Sequence, residues 1–307
     1  MTIITRKRLF SLAAGLASLT VLVTSCKSNV EPHANMVIDR ILDTRQAILK
    51  KLPPDQRGDV RFLTFWDFDG TIQKGDCTEG LIIDGKVIFQ GLAEKAVEAG
   101  LVKEYPPGSY EDFRRKAELL DMKDHIAGLL IYPRVLEGKT EREIISFSES
   151  YFKATLKKYF FATSIAMIEA LKKEKIDIYV ISASADVYVQ GAASLLGIPN
   201  YQIRGIAMKT RKGKITLDPQ EPVTHGAGKT EIVKLVTTRL ERLTARPAYI
   251  LAGFGNSYNT DGHFLAYIAQ QKLPAGKTVS VMINGGPAPE KYKGLFLPVK
   301  QLKTILP

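Results

Sequence analysis

The chain has 307 residues, 45% of them hydrophobic and 24% charged, a composition that suits a globular protein of one or two domains with a large core. Its formal net charge is +11, spread along predicted helices and the C-terminal tail. No dense basic patch interleaved with aromatics occurs, so nucleic-acid binding is not supported; a solvated basic surface, or one that attracts anionic substrates or lipid head groups, is what remains.

Residues 1–26 read as a targeting segment. Arg6, Lys7 and Arg8 form a basic start, and residues 9–23 are an apolar run too short to span a membrane comfortably. Removal of those three charges leaves +8 on the mature part. The run ends in Val23-Thr24-Ser25-Cys26, which resembles the lipobox of bacterial lipoproteins. That resemblance implies acylation of Cys26 and a lipid-anchored protein exported to the periplasmic face of the inner membrane or sorted to the outer membrane. An ordinary secretory signal with an incidental cysteine is the alternative. Cys77 is then the only other cysteine, without a partner for an internal disulfide, and reads as a small packed residue near the first strand.

Residues 27–59 are expected to be a tether followed by a helix over 36–52, which Pro53-Pro54 stops. A short apolar strand over 61–66 leads directly into Asp67. Residues 81–161 are mostly helical in pattern and would form an inserted cap, with Thr140 and Glu143 as a capping box for a helix running to about residue 159. From 162 onward, helices and strands alternate. Helices are predicted over 165–173, 187–196 (stopped by Gly197 and Pro199), 229–243 and 262–271. Strands are predicted over 176–181, 249–254 and 279–283. Residues 203–208 and 214–217 flank Arg211-Lys212-Gly213 as a hairpin. Apolar strands separated by amphipathic helices imply an α/β fold, a doubly wound parallel sheet built from 60–80 and 162–307, with ligands outside the strands' carboxyl ends.

Asp67, Ser182 and Gly255-Asn256 all fall just past such ends, so three strands aim polar groups at one crevice. Asp67 and Asp69, two residues apart, would point the same way and could share one magnesium ion and one substrate. One carboxylate can attack phosphorus and the other can move the leaving-group proton. A plain Asp-Gly-Thr corner, with aspartate capping a turn, would use the same residues. Gly228-Lys229-Thr230 also ends a phosphate-loop pattern, but Val223 stands where that pattern requires glycine.

Residues 62–66 followed by Asp67-Phe68-Asp69-Gly70-Thr71 resemble the first motif of the haloacid dehalogenase (HAD) superfamily. The resemblance implies a HAD-like Rossmannoid core with Asp67 as nucleophile and Asp69 as general acid/base. It also implies that the Asp67 side chain and the Asp69 carbonyl hold a metal. Residues 178–181 and Ser182 match the second motif, in which the serine binds a phosphoryl oxygen; Lys229 matches the third. The fourth motif, usually Gly-Asp-x-x-x-Asp, is met by Gly255-Asn256 running on to Asp261. Asn256 can offer magnesium an oxygen but no charge, and Asp261 is the remaining carboxylate. A cap between the first and second motifs resembles the phosphoserine phosphatase-like branch, with Asp76 near the cap entrance. Thr71, Asp76 and Ser184 are the expected substrate contacts. His125, His225 and His263 show no zinc-like spacing. The function implied is a Mg2+-dependent phosphomonoester hydrolase acting on a small phosphorylated metabolite; a phosphotransferase and a binding lipoprotein without turnover are the rivals.

Overall fold

The structure is a computed structural model that describes residues 32–58 and 60–305. The expected signal segment, including Cys26, and the start of the tether lie outside the described residues. Among the described residues, no helix is long and apolar enough to cross a membrane.

Helix α1 (Pro32–Lys51) ends just before Pro53-Pro54, where the missing amide hydrogens cannot continue it. Strand β1 (Arg61–Trp66) follows. The chain then leaves the sheet through β2 (Gly80–Ile83), β3 (Lys86–Gln90), α2 (Leu92–Glu98), α3 (Tyr110–Lys123), α4 (His125–Arg134) and α5 (Glu141–Ala154). It returns with α6 (Ala162–Lys173) and β4 (Asp177–Ala185), and continues as α7 (Asp186–Val189), α8 (Ala193–Leu196), β5 (Ile203–Ile206), β6 (Met208–Arg211) and β7 (Lys214–Pro219). The last elements are α9 (Ala227–Thr244), β8 (Ala248–Gly255), α10 (Gly262–Ala269), β9 (Val279–Ile283) and β10 (Leu297–Val299).

The described residues form a six-stranded sheet ordered β10-β9-β8-β1-β4-β5, parallel throughout. Residues of β1 alternate between its faces. Phe62 and Trp66 join the core shared with α1 and α6, through Val37, Ile41, Met167 and Leu171. Leu63 and Phe65 join the opposite core, built on Val233 of α9 and Phe264, Leu265 and Ile268 of α10. A sheet covered on both faces buries its strands almost completely, and β1 is buried from Phe62 to Trp66. After β1 the chain builds outward through β4 and β5 on one side, then through β8, β9 and β10 on the other. The strand order therefore reverses at β1, the place where such sheets open a crevice.

The expected α/β sheet is present, with local departures. Residues 81–161 are not helical at their start: β2 and β3 form an antiparallel hairpin. Its turn, Asp84 (φ 50°) and Gly85 (φ 74°), suits the two-residue turns that favour Asp-Gly. Strands of four and five residues carry too little periodicity to outweigh the helical pattern after them. The capping hydrogen bond of α5 is as expected, with the Glu143 amide donating to Thr140 Oγ1 at 3.1 Å. Residues 203–208 do not form one strand. Ile203–Ile206 joins the main sheet as β5, whereas β6 turns out and pairs with β7 around Lys212-Gly213. That hairpin reaches the segment after α4, where Ile215 and the backbone of Gly138 and Lys139 exchange hydrogen bonds of 2.9 and 2.8 Å. The helix predicted over 187–196 is two short helices with a 3-10 turn between them. Strand β10 was not expected; it contains Pro298, which a strand tolerates at a sheet edge.

Candidate active site

Three neighbouring strands deliver the polar cluster. Asp67 follows β1 and its amide donates to the Phe254 carbonyl of β8 at 2.8 Å, which ties the carboxyl ends of the two strands together. Ser182 and Ser184 lie two residues apart near the end of β4, so both hydroxyls project from one face. Asn256 is the first residue past β8. All four line a cavity of about 240 Å3, together with Asp69, Asp76, Lys229, Tyr132, His125 and His225.

Lys229 is the electrostatic centre. It is fully buried, and its Nζ donates to Asp67 Oδ1 at 2.6 Å and to Asp261 Oδ1 at 2.7 Å. Against the cost of burial, the two carboxylates hold the lysine above its ordinary range, so it stays charged. Burial and the Asp261 charge push the Asp67 carboxyl up to about 7, although Lys229 pulls it down. Lys229 sits in the first turn of α9, and Gly228 beside it is required for packing: a Cβ there would fall 1.8 Å from the Val223 carbonyl oxygen. The Gly-Lys-Thr sequence thus serves a tight turn into α9, and the turn follows a loop and not a strand, unlike a phosphate loop.

Asp69 faces the other side of the cavity. Its Oδ1 accepts from the Cys77 amide at 2.7 Å, and its Oδ2 accepts from Ser184 Oγ at 2.7 Å and Ser182 Oγ at 3.4 Å. Burial outweighs these hydrogen bonds and raises its pKa. Asp76 lies on the same wall, where its Oδ1 accepts from the amides of Thr78 and Glu79 at 2.7 and 2.9 Å; burial and the Asp69 and Glu79 charges raise it well above the carboxylate range. Asp69, Asp76 and the Cys77 thiol come close enough to hold an ion. However, most of these carboxylate oxygens already accept backbone or serine hydrogen bonds, and burial raises the thiol. This cluster is a poor match for magnesium, which takes hard oxygen donors.

Two expected residues stand elsewhere than on the cavity wall. Thr71 is fully buried and not a substrate contact in this geometry, because its hydroxyl donates to Asp67 Oδ2 at 2.9 Å and so orients that carboxylate from behind. Asp261 is also fully buried. One oxygen takes the lysine, and the other accepts from the amides of Asn256 and Ser257 at 2.9 and 3.0 Å. Direct metal ligation by Asp261 would cost one of these bonds.

Sequence reading missed the Cys77 amide as a partner of Asp69, the hydrogen bond from the Tyr132 hydroxyl to Glu79, and the contact between His125 and His225. The Tyr132–Glu79 and His125–His225 pairs join residues 53 and 100 positions apart, so no spacing announces them.

Gly70 is the conformational key of the β1 corner. Its φ is +76°, and a Cβ would lie 1.9 Å from Asn256 Nδ2. Gly70→Ala is therefore expected to destabilise the fold by more than about 1 kcal/mol and to displace the Asn256 amide. Urea unfolding, with Mg2+ affinity measured in parallel, checks both effects.

No family model matches the chain, and no curated protein matches it in sequence. Solved structures do resemble it. A protein of unknown function from Bordetella pertussis Tohama I aligns over 78% of this chain and 98% of its own, at 12% identity and a TM-score of 0.56. A functionally unknown conserved protein from Anaerococcus prevotii aligns over 85% and 88%, at 12% identity and TM-score 0.57. A cytosolic 5'-nucleotidase IIIB bound to cytidine aligns over 91% and 87%, at 16% identity and TM-score 0.50. At such identities the likeness is one of fold, and the chain has the α/β fold with a parallel sheet and flanking helices that these proteins share.

Proposed function

We propose that this chain is a HAD-type phosphatase, a magnesium-dependent hydrolase of a small phosphomonoester that works through an aspartyl-phosphate on Asp67. One observation carries the reading. At the carboxyl end of the central strand, the Asp67 carboxylate is held between Lys229 and Thr71, at 2.6 and 2.9 Å, with Asp69 lining the same cavity. The fold shared with a nucleotidase agrees with it at the level of analogy.

The residues fit magnesium. Asp67 and Asn256, which line one cavity, would offer a carboxylate and an amide, both hard oxygen donors, with the Asp69 backbone carbonyl as the further ligand that the resemblance implies. Bound there, the ion would supply positive charge to the phosphoryl oxygens.

In the first step an Asp67 oxygen attacks phosphorus, the ester P–O bond breaks, and the leaving oxygen takes the proton from Asp69. In the second, water attacks the same phosphorus while Asp69 takes a proton from it. The bond to Asp67 breaks and inorganic phosphate leaves. Lys229 keeps the attacking carboxylate and the phosphoryl charge from repelling each other. Ser182, which lines the same cavity, would donate to a phosphoryl oxygen. Helices α2–α5 and the β2–β3 hairpin would close over the substrate as a cap, which suits a metabolite better than a folded phosphoprotein.

Turnover of a panel of small phosphomonoesters, with Mg2+ and with chelator, tests the reading. Transfer to added alcohols in preference to water would make it a phosphotransferase. Absence of turnover in folded, ligand-binding protein would favour the binding lipoprotein, the reading that Asn256 supports. Asn256→Asp is expected to tighten Mg2+ binding by roughly tenfold, since each ligand charge raises affinity; calorimetry on the full chain reads this directly.

The anchor forms part of the same proposal: an exported protein held at the membrane through Cys26. Incorporation of labelled palmitate, lost in Cys26→Ala, is the expected result.

A further inference from the structure

His125 and His225 are 100 residues apart in the chain, yet their Nε2 atoms lie 3.2 Å apart. The rings meet at a centroid distance of 4.7 Å and an angle of 65°. His125 begins α4, and His225 lies in the turn ahead of α9. Both line the cavity that holds Asp67. The pair thus bridges the inserted helical segment and the sheet domain at one edge of the pocket.

We propose that His125 and His225 form a metal site, separate from the magnesium position, for an imidazole-preferring divalent ion of the zinc class that staples α4 to the core. Two nitrogens each ~2.0–2.1 Å from a tetrahedral ion lie about 3.3 Å apart, close to the observed separation of 3.2 Å. The outer face of His125 is prepared for ligation as well. Its Nδ1 lies 2.6 Å from Asp121 Oδ1 on α3. A carboxylate there keeps the proton on Nδ1 and turns the Nε2 lone pair toward His225, the arrangement that orients and strengthens imidazole ligands. Imidazole nitrogens select zinc, copper or nickel over magnesium, so the two sites would not compete for one ion.

Among the described residues, no third His, Cys, Asp or Glu closes the set. The site is therefore open, with two positions left for water or for an oxygen of an anion in the cavity. Two imidazoles hold an ion with modest affinity, and the bound ion would limit movement of α4 away from α9. The site does not depend on the phosphatase reading, because it is detected by binding alone.

The test is a Zn2+ titration of the full chain by calorimetry, in excess Mg2+ to fill the acidic pocket. Parallel Co2+ spectra report imidazole ligation. One Zn2+ is expected to bind, with affinity falling at least ~10-fold in His125→Gln and in His225→Gln, and roughly 10-fold in Asp121→Asn, the usual cost of losing an outer carboxylate. His263→Gln should leave it unchanged. Zn2+ should also raise the Tm of the native chain and not that of the two pair variants. His125 is exposed, so its replacement should fold even if that at His225 does not. Absence of Zn2+ binding, or full affinity in His125→Gln, overturns the proposal and leaves an imidazole pair that shares a proton.

Discussion

Asp67→Asn is expected to lower kcat/KM for phosphomonoesters by about 10,000-fold or more, the scale of losing an attacking group, with little change in stability. An amide oxygen can still accept from Lys229, and Lys229 keeps its second carboxylate, Asp261, at 2.7 Å, so no buried charge is orphaned. The measurement is turnover together with covalent labelling. Native protein quenched during reaction should carry acid-stable, base-labile phosphate, and the variant should carry none. Retention of more than a few per cent of native turnover would sink the assignment of Asp67 as nucleophile.

Lys229→Met should act on stability as well as activity. The ammonium is fully buried between Asp67 and Asp261, and its removal leaves two carboxylates facing each other without a cation. Breaking a buried pair in this way costs about 3–5 kcal/mol. The loss should depend on pH with a definite sign. Burial and Asp261 hold Asp67 at about 7 even with Lys229 present to lower it, so removal of the lysine raises that carboxyl further above its unfolded value. A carboxyl with a raised folded-state pKa destabilises the native state above that pKa, and the penalty fades as pH falls through it. The difference in unfolding free energy between native protein and variant therefore widens as pH rises above about 7 and is smallest at about pH 5–6, where Asp67 is protonated in both folded forms. A difference that stays constant from about pH 6 to pH 9 would mean that the two carboxylates are not electrostatically coupled to Lys229 in the folded chain.

The corner at Asp67-Phe68-Asp69-Gly70-Thr71 was legible because its chemistry is local. An apolar run has to be a buried strand, its polar end has to emerge at the sheet edge, and Gly70 can take the left-handed turn at φ +76°. The alternation of strands and helices after residue 162 was legible for the same reason, since burial on two faces writes itself as period and length. What escaped was short or set by partners far along the chain. The β2–β3 hairpin and β10 are too brief to carry a pattern. Thr71 was expected to touch substrate; its hydroxyl instead turns to Asp67, in a packing environment that leaves it no exposed surface.

By itself, then, the sequence determined the α/β layering, the strand ends that carry Asp67, Ser182 and Asn256, and the supply of a lysine at a helix start, because each follows from local periodicity and turn chemistry. Only the tertiary structure decided which groups meet. It placed Lys229 between two carboxylates that lie 162 and 32 positions away, turned Asp261 inward to hold the lysine and the Asn256 loop, and brought His125 against His225. These pairings come from the order of strands in the sheet and from the path of the inserted segment over it. Neither leaves a spacing in the chain, since the contact energies that select them act between surfaces made by distant elements.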